Sequence, residues 1–138
     1  MNMFKEVIQR LHHIGMVVKD LDTAFTHYAR LGYASDRRVY TDDFQKVSIG
    51  LVTLGETMVE LLVPLDATSP VARLWDSGGG FHHLCYEVLQ FDAFVAWLET
   101  QTDGFFVRRP APSIFDGARV FFWGVKATRE VIEFKEIL

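Results

Sequence analysis

The chain is an internal duplication, and a duplicated pattern at this length restricts its fold more than any other property of the sequence. Leu11 to Phe25 (LHHIGMVVKDLDTAF) aligns with Phe81 to Val95 (FHHLCYEVLQFDAFV) at an offset of 70, so that one His-His pair falls on the other. Gly32-Tyr33 meets Gly104-Phe105 at an offset of 72, and Val47 to Glu60 meets Val120 to Glu133 at an offset of 73. The offset grows where loops would absorb insertions. With 138 residues to share, the copies are expected to be modules of one domain spanning 1–138.

Each copy opens on an alternating apolar segment, Leu11 to Val18 or Phe81 to Val88, which predicts a strand. A helix should follow. Leu21, Ala24, Phe25, Tyr28 and Leu31 recur at helical spacing behind Asp20 as a cap, and Phe91, Phe94, Val95 and Leu98 do so in the second copy. Gly32 and Gly104 read as helix stops. Three strand-like runs come next in each copy: 34–40, 46–54 and 57–63 with a tight turn at Gly55-Glu56, then 105–109, 118–125 and 130–137. The order βαβββ is thus predicted twice, in module 1 at about 11–63 and module 2 at about 81–137. The linker 64–80 between them carries a short helical stretch from Pro70 to Trp75.

Side chains alternate across a strand, so His13, Gly15 and Val17 share one face while His12, Ile14, Met16 and Val18 share the other. The second set is the apolar one and should pack on the helices. By the same rule His83, Cys85 and Glu87 oppose Leu84, Tyr86 and Val88. Glu60 shares a face with Met58 and Leu62, and Glu133 alternates with Ile132 and Phe134, which puts two carboxylates in the middle of apolar strands. If the halves pair about a pseudo-twofold axis, His13, Glu60, His83 and Glu133 can converge. Two imidazoles and two carboxylates suit one divalent cation (Zn, Ni, Co, Mn or Fe): the carboxylates cancel its charge, and mixed N/O donors leave coordination positions open.

Composition excludes other classes of partner. Fourteen Lys and Arg against eighteen Asp and Glu give a net charge of −4, which supplies no attraction for a phosphate backbone, so no nucleic acid is expected. No uncharged apolar run approaches the roughly 18 residues of a membrane span. Cys85 is the single cysteine and cannot form an intrachain disulfide, and MNMFKEVIQR carries charges where a signal peptide needs its apolar stretch, so a reduced, cytoplasmic location is expected. Other local signals are discounted. Gly78-Gly79-Gly80 precedes a strand and lacks the Gly-Lys-Ser/Thr of a phosphate loop, so it reads as a hinge. Cys85 reads as a small wall residue, His27 as solvated, and Arg37, Arg38, Arg73, Arg108, Arg109 and Arg119 mostly as exposed charges that could hold a substrate anion.

HHIGMVVKDLDTAFTHYARLGY, MVELLVP, Ser69-Pro70, GGGFHHLCYEV and VIEFKEI together resemble the vicinal oxygen chelate superfamily, in particular its glyoxalase I and methylmalonyl-CoA epimerase-like branch, from about Leu11 to Ile137. The resemblance implies an α+β fold in which two tandem βαβββ modules form a curved, mixed eight-stranded sheet with helices outside. It also implies a metal site at His13, Glu60, His83 and Glu133, but not at His12 or His82. The implied chemistry is metal-assisted removal of a carbon-bound proton through an enediolate or enolate. Glu133 would be the base and Glu60 its symmetry-related alternative, acting on a thiol adduct or thioester. Two segments depart from the epimerase pattern: Phe44 stands where that pattern has a catalytic glutamate, beside Asp42 and Asp43, and Phe115-Asp116-Gly117-Ala118-Arg119 replaces a histidine-glycine-lysine segment. A glyoxalase I-like lactoylglutathione lyase is therefore the first expectation, a methylmalonyl-CoA epimerase-like racemase the second, and a metal-free, antibiotic-binding protein of the same fold the third. Module pairing in the superfamily further implies a homodimer.

Overall fold

Residues 2–138 are described by a computed structural model; Met1 of the expected 1–138 domain lies outside them. The elements run α1 (Met3–Val7), β1 (Ile8–Val17), α2 (Leu21–Arg30), β2 (Tyr40–Asp42), β3 (Val47–Leu54), β4 (Thr57–Pro64), α3 (Ala72–Asp76), β5 (Gly80–Val88), α4 (Phe91–Leu98), β6 (Gly104–Pro112), β7 (Arg119–Val125) and β8 (Val131–Glu136). The α+β class and the twice-repeated βαβββ order are those the sequence predicts. The chain forms two compact units, residues 13–82 and residues 2–12 with 83–138.

In the first unit β1 lies parallel to β4, β4 antiparallel to β3, and β3 antiparallel to β2. Helix α2 begins where the Asp20 side chain accepts from the Thr23 N–H. Its end is closed by Gly32 at φ +97, with the Gly32 N–H on Ala29 O and the Tyr33 N–H on Tyr28 O. Those bonds satisfy carbonyls that the helix leaves unpaired. Its apolar stripe, Ala24 and Phe25, packs with Met16 and Val18 of the first strand and its continuation and with Val52, Val59 and Leu61. The opposite face buries Val17, Ile49 and Leu62 against Val71 at the start of α3. Leu31, the last residue of the helical spacing, is 57% exposed because it caps the helix.

The second unit repeats the pattern, with β5 parallel to β8, β8 antiparallel to β7, and β7 antiparallel to β6. Its core is aromatic. Phe94 of α4 meets Phe134 of β8 edge-on with ring centroids 4.9 Å apart, and Phe121 of β7 is fully buried beside them. Helix α1, which the repeat does not contain, belongs to this core: Phe4 stands edge-on to Phe94 and Trp97 at 5.6 and 5.2 Å. Met3 and Val7 of α1 are buried in this core and Phe4 partly so, which holds a five-residue helix that would not persist alone.

Three local readings are corrected. The run 34–40 is not a strand: Ala34 makes an isolated bridge to Thr53, and pairing resumes at Tyr40. Between them the Ser35 hydroxyl accepts from the Arg37 N–H, the Asp36 carboxylate accepts from the Arg38 N–H, and Arg37 sits at φ +58, so local side-chain bonds replace a ladder. Gly104 does not end α4, which stops at Leu98; it opens β6, where a Cβ would collide with the Trp123 indole. The offset of 73 is also not uniform across the last hairpin. Leu51 pairs with Glu60 and Phe122 with Glu133, so β3 maps onto β7 at 71 while β4 maps onto β8 at 73. The two extra residues fall in the β7–β8 loop, where Arg129 takes a left-handed conformation at φ +61. A slip of two preserves every side chain's face, which is why the alternation was read correctly despite it.

Candidate metal centre

Twin parallel strand pairs position the candidate donors. Gly15 of β1 lies opposite Glu60 of β4, and Cys85 of β5 lies opposite Glu133 of β8. In each unit the histidine stands two residues before that crossing, on the same face as the glutamate. His13 Nε2 lies 3.5 Å from Glu60 Oε2, and His83 Nε2 lies 3.2 Å from Glu133 Oε1. All four are well buried: His13 is 5% exposed, His83 1%, Glu133 5%, and the Glu60 side chain 13%. The Phe122 ring stands edge-on to His83 at 5.3 Å and fixes one side of it.

The donor set fits a divalent cation. Ligand atoms about 2.1 Å from one ion stand roughly 3.0–3.4 Å apart; the His83–Glu133 pair at 3.2 Å has that spacing, and the His13–Glu60 pair at 3.5 Å is slightly wider. A buried carboxylate is costly unless a cation or proton accompanies it. One nitrogen and one oxygen per pair are the donors that borderline divalent ions accept.

Neighbouring groups sort into structural and functional sets. Asp42 is buried at 4% exposure, and its Oδ1 accepts from the Phe44 and Gln45 N–H groups, so it shapes the β2–β3 turn. Asp43 and Phe44 are exposed on that turn. Two of the arginines considered as anion holders are committed elsewhere: Arg119 bridges Glu136 and Asp92, and Arg109 bridges Glu99. Arg119 holds Glu136 and Asp92 below the usual carboxylate range, chiefly by hydrogen bonding. Gly78, Gly79 and Gly80 all have positive φ, and a Cβ on Gly79 would strike the Val17 carbonyl. That segment is a close backbone approach at the end of β1 rather than a phosphate cradle. His27 is exposed, as expected. A surface hollow of about 280 Å³, lined by Phe105, Gly124, Lys126, Arg129 and Val131 among others, includes none of the four donors.

Sequence reading missed Lys135. It follows Glu133 by two residues on β8, is 8% exposed, and donates to both carboxylate oxygens of Asp116 at 2.9 and 2.8 Å. Hydrogen bonding from Lys135 is the main cause that holds the Asp116 carboxyl below its ordinary range, with burial opposing. The signal in VIEFKEI is a charge two residues from Glu133 and therefore on its face of the strand.

Residues 12–122 match the family described as the Glyoxalase/Bleomycin resistance protein/Dioxygenase superfamily. The chain is 36% identical over 84 residues to an ethylmalonyl-CoA/methylmalonyl-CoA epimerase of Cereibacter sphaeroides, covering 59% of this chain and 63% of that one. It is 36% identical over 88 residues to the mitochondrial methylmalonyl-CoA epimerase of Homo sapiens, covering 62% of this chain and 50% of that one. The aligned regions thus span less than two thirds of these relatives' length. A crystal structure of methylmalonyl-CoA epimerase from Mycobacterium tuberculosis superposes with a TM-score of 0.83 at 27% identity, covering 95% of this chain and 89% of that one. These relatives overturn the first functional expectation, a glyoxalase I-like lyase, in favour of the second. The error has a physical cause: two histidines and two glutamates serve any metal-assisted proton abstraction beside a carbonyl, so the donor set cannot choose the substrate.

Proposed function

The chain belongs to the Glyoxalase/Bleomycin resistance protein/Dioxygenase superfamily, and from that premise we propose that it is a divalent-metal-dependent epimerase of a 2-substituted malonyl thioester of coenzyme A. The observation that carries this reading is the His/Glu pair repeated in one register on both parallel strand pairs, His13 with Glu60 and His83 with Glu133. The epimerase relatives supply the substrate class. In this reading each pair offers one imidazole and one carboxylate to a divalent ion.

The bound ion would supply a Lewis acid that makes the hydrogen beside a thioester carbonyl more acidic. The chain's own residues do the rest. Glu133, well buried beside His83, accepts that proton on a carboxylate oxygen. Inversion requires a proton to be returned on the other face of the carbon, and Glu60, its counterpart in the repeat, is the group of the right type. Phe122 and the apolar strands around the pairs keep water from competing for the proton. A homodimer belongs to the same proposal and is checked by sedimentation at micromolar concentration. A cytoplasmic setting suits both a coenzyme A thioester and the reduced state of Cys85.

The test is proton exchange at the 2-carbon of methylmalonyl-CoA in deuterated solvent, with metal analysis of the same sample. Exchange is expected in metal-loaded protein. His83→Ala should lose both metal and exchange, while His82→Ala should keep both. Equal loss from the two substitutions, or no exchange in metal-loaded parent protein, would sink the assignment.

A further inference from the structure

The sheet face that carries His83 and Glu133 also carries a cation that metal binding does not need. Lys135 and Glu133 point to one side of β8, about 6.6 Å apart along the strand, while Phe134 between them turns into the aromatic core. Across the sheet Lys135 is flanked by Glu87 and Val120, and Glu87 is itself ion-paired with Arg10. A buried ammonium costs free energy unless an anion meets it. The anion that meets it is Asp116, whose side chain is 46% exposed at the rim, in the loop 113–118 between β6 and β7. That loop also closes on itself: the Ser113 N–H donates to Ala118 O, the Gly117 N–H to Ser113 O, and the Ala118 N–H to Asp116 Oδ1. Lys135 is thus a well-buried cation, one strand repeat from Glu133, held by a carboxylate that water reaches and another carboxylate can replace.

A 2-substituted malonyl thioester differs from an ordinary acyl thioester by a carboxylate on the carbon that loses its proton. We propose that Lys135 is a specificity-determining residue that receives this carboxylate, and that Asp116 is the placeholder it displaces. The inference takes its acyl group from the epimerase reading, but binding of a small dicarboxylate by Lys135 is testable without turnover.

The probe is methylmalonate, titrated calorimetrically into the full-length metal-loaded protein and its Lys135→Met, Lys135→Arg and Asp116→Asn variants, with isobutyrate as the monocarboxylate control. Lys135→Met should weaken methylmalonate binding about tenfold or more, the loss of a charge-assisted hydrogen bond. Lys135→Arg should recover most of it. Asp116→Asn should tighten it several-fold by removing the competitor. Isobutyrate should respond to none of them. With methylmalonyl-CoA, Lys135→Met should raise KM more than it lowers kcat. If Lys135 and Asp116 merely fasten the loop, both losses will move binding in the same direction or not at all, and the proposal fails. Should Lys135→Met not fold, tighter binding in Asp116→Asn beside near-parent binding in Lys135→Arg still supports the role, and weaker or unchanged binding in Asp116→Asn overturns it. Lys135-dependent methylmalonate binding without exchange of the methylmalonyl-CoA proton would refute the epimerase reading alone. Exchange with unchanged binding in all three variants would refute the Lys135 role alone.

Discussion

Where β3 of the first module carries Gly50, β7 of the second carries Phe121. Each faces the residue that follows the candidate glutamate, Gly50 opposite Leu61 and Phe121 opposite Phe134. Over Gly50 lies the ring of Phe25 from α2, so close that a Cβ would collide with it. At Phe121 the strand supplies its own ring, which meets Phe91 and Phe94 of α4 at 5.4 and 5.9 Å. The aromatic volume behind the glutamate comes from the helix in one module and mainly from the strand in the other. What duplication preserved is the filled space behind the carboxylate, together with the face the carboxylate occupies, and not the residue that fills it.

The strongest way to break this comparison is to empty the second module's space. Phe121→Ala should cost about 3–5 kcal/mol, because the Phe91 and Phe94 rings beside it are themselves buried and packed and leave the space unfilled. A denaturant midpoint close to the parent's would show that α4 can do what α2 does. Next in size is the chemistry of the two glutamates. Glu133→Gln, which keeps an oxygen donor, should hold most of its metal yet slow substrate-proton exchange at least about a hundredfold. Glu60→Gln in parallel compares the modules directly, and full exchange in metal-loaded Glu133→Gln would hand the removal step to Glu60.

A smaller effect is expected from overfilling the first module. Gly50→Ala should destabilise by about 1–3 kcal/mol, since Phe25 is 2% exposed and has little room to retreat. Gly124→Ala meets the ring of Phe105, which is 52% exposed and can swing into solvent, so its melting temperature should move less. Equal shifts in the two variants would mean that burial of the obstructing ring does not set the cost.

Acid should separate the units least. Hydrogen bonds from Arg119 and Lys135 depress Glu136, Asp92 and Asp116 in the second unit, while those from Thr23 and Thr68 depress Asp20 and Asp66 in the first. A carboxyl with a lowered folded pKa contributes stability above its unfolded value, about 4, and that contribution is lost as pH falls through the lower folded value. Both units should therefore weaken below about pH 4. Added salt should weaken the ion-paired second unit further and leave the threonine-bonded sites of the first nearly unchanged. Amide exchange at Ala118 and Arg119 against Thr23 and Thr68 reads the difference, and an identical salt response would erase it.

The sequence by itself determined what depends on neighbours along the chain. Alternation assigned His13 with Gly15 and His83 with Cys85 to faces away from the helices and set Glu60 and Glu133 in the middle of apolar strands, and helical spacing found α2, α4 and the Asp20 cap. Duplication made the four donors conspicuous, because unrelated surface residues need not recur at matching positions. Tertiary structure alone decided what depends on a partner distant in sequence. It decided that the run 34–40 meets the sheet only at its ends, Ala34 on Thr53 and Tyr40 on Ile49, and it placed two extra residues in the β7–β8 loop. It recruited α1 to the second core through Phe4, supplied Gly50 with the ring of Phe25, and paired Lys135 with Asp116. Periodicity records which side of an element faces an apolar environment. It carries no record of which residue waits there, because many partners of similar volume or opposite charge satisfy the same pattern.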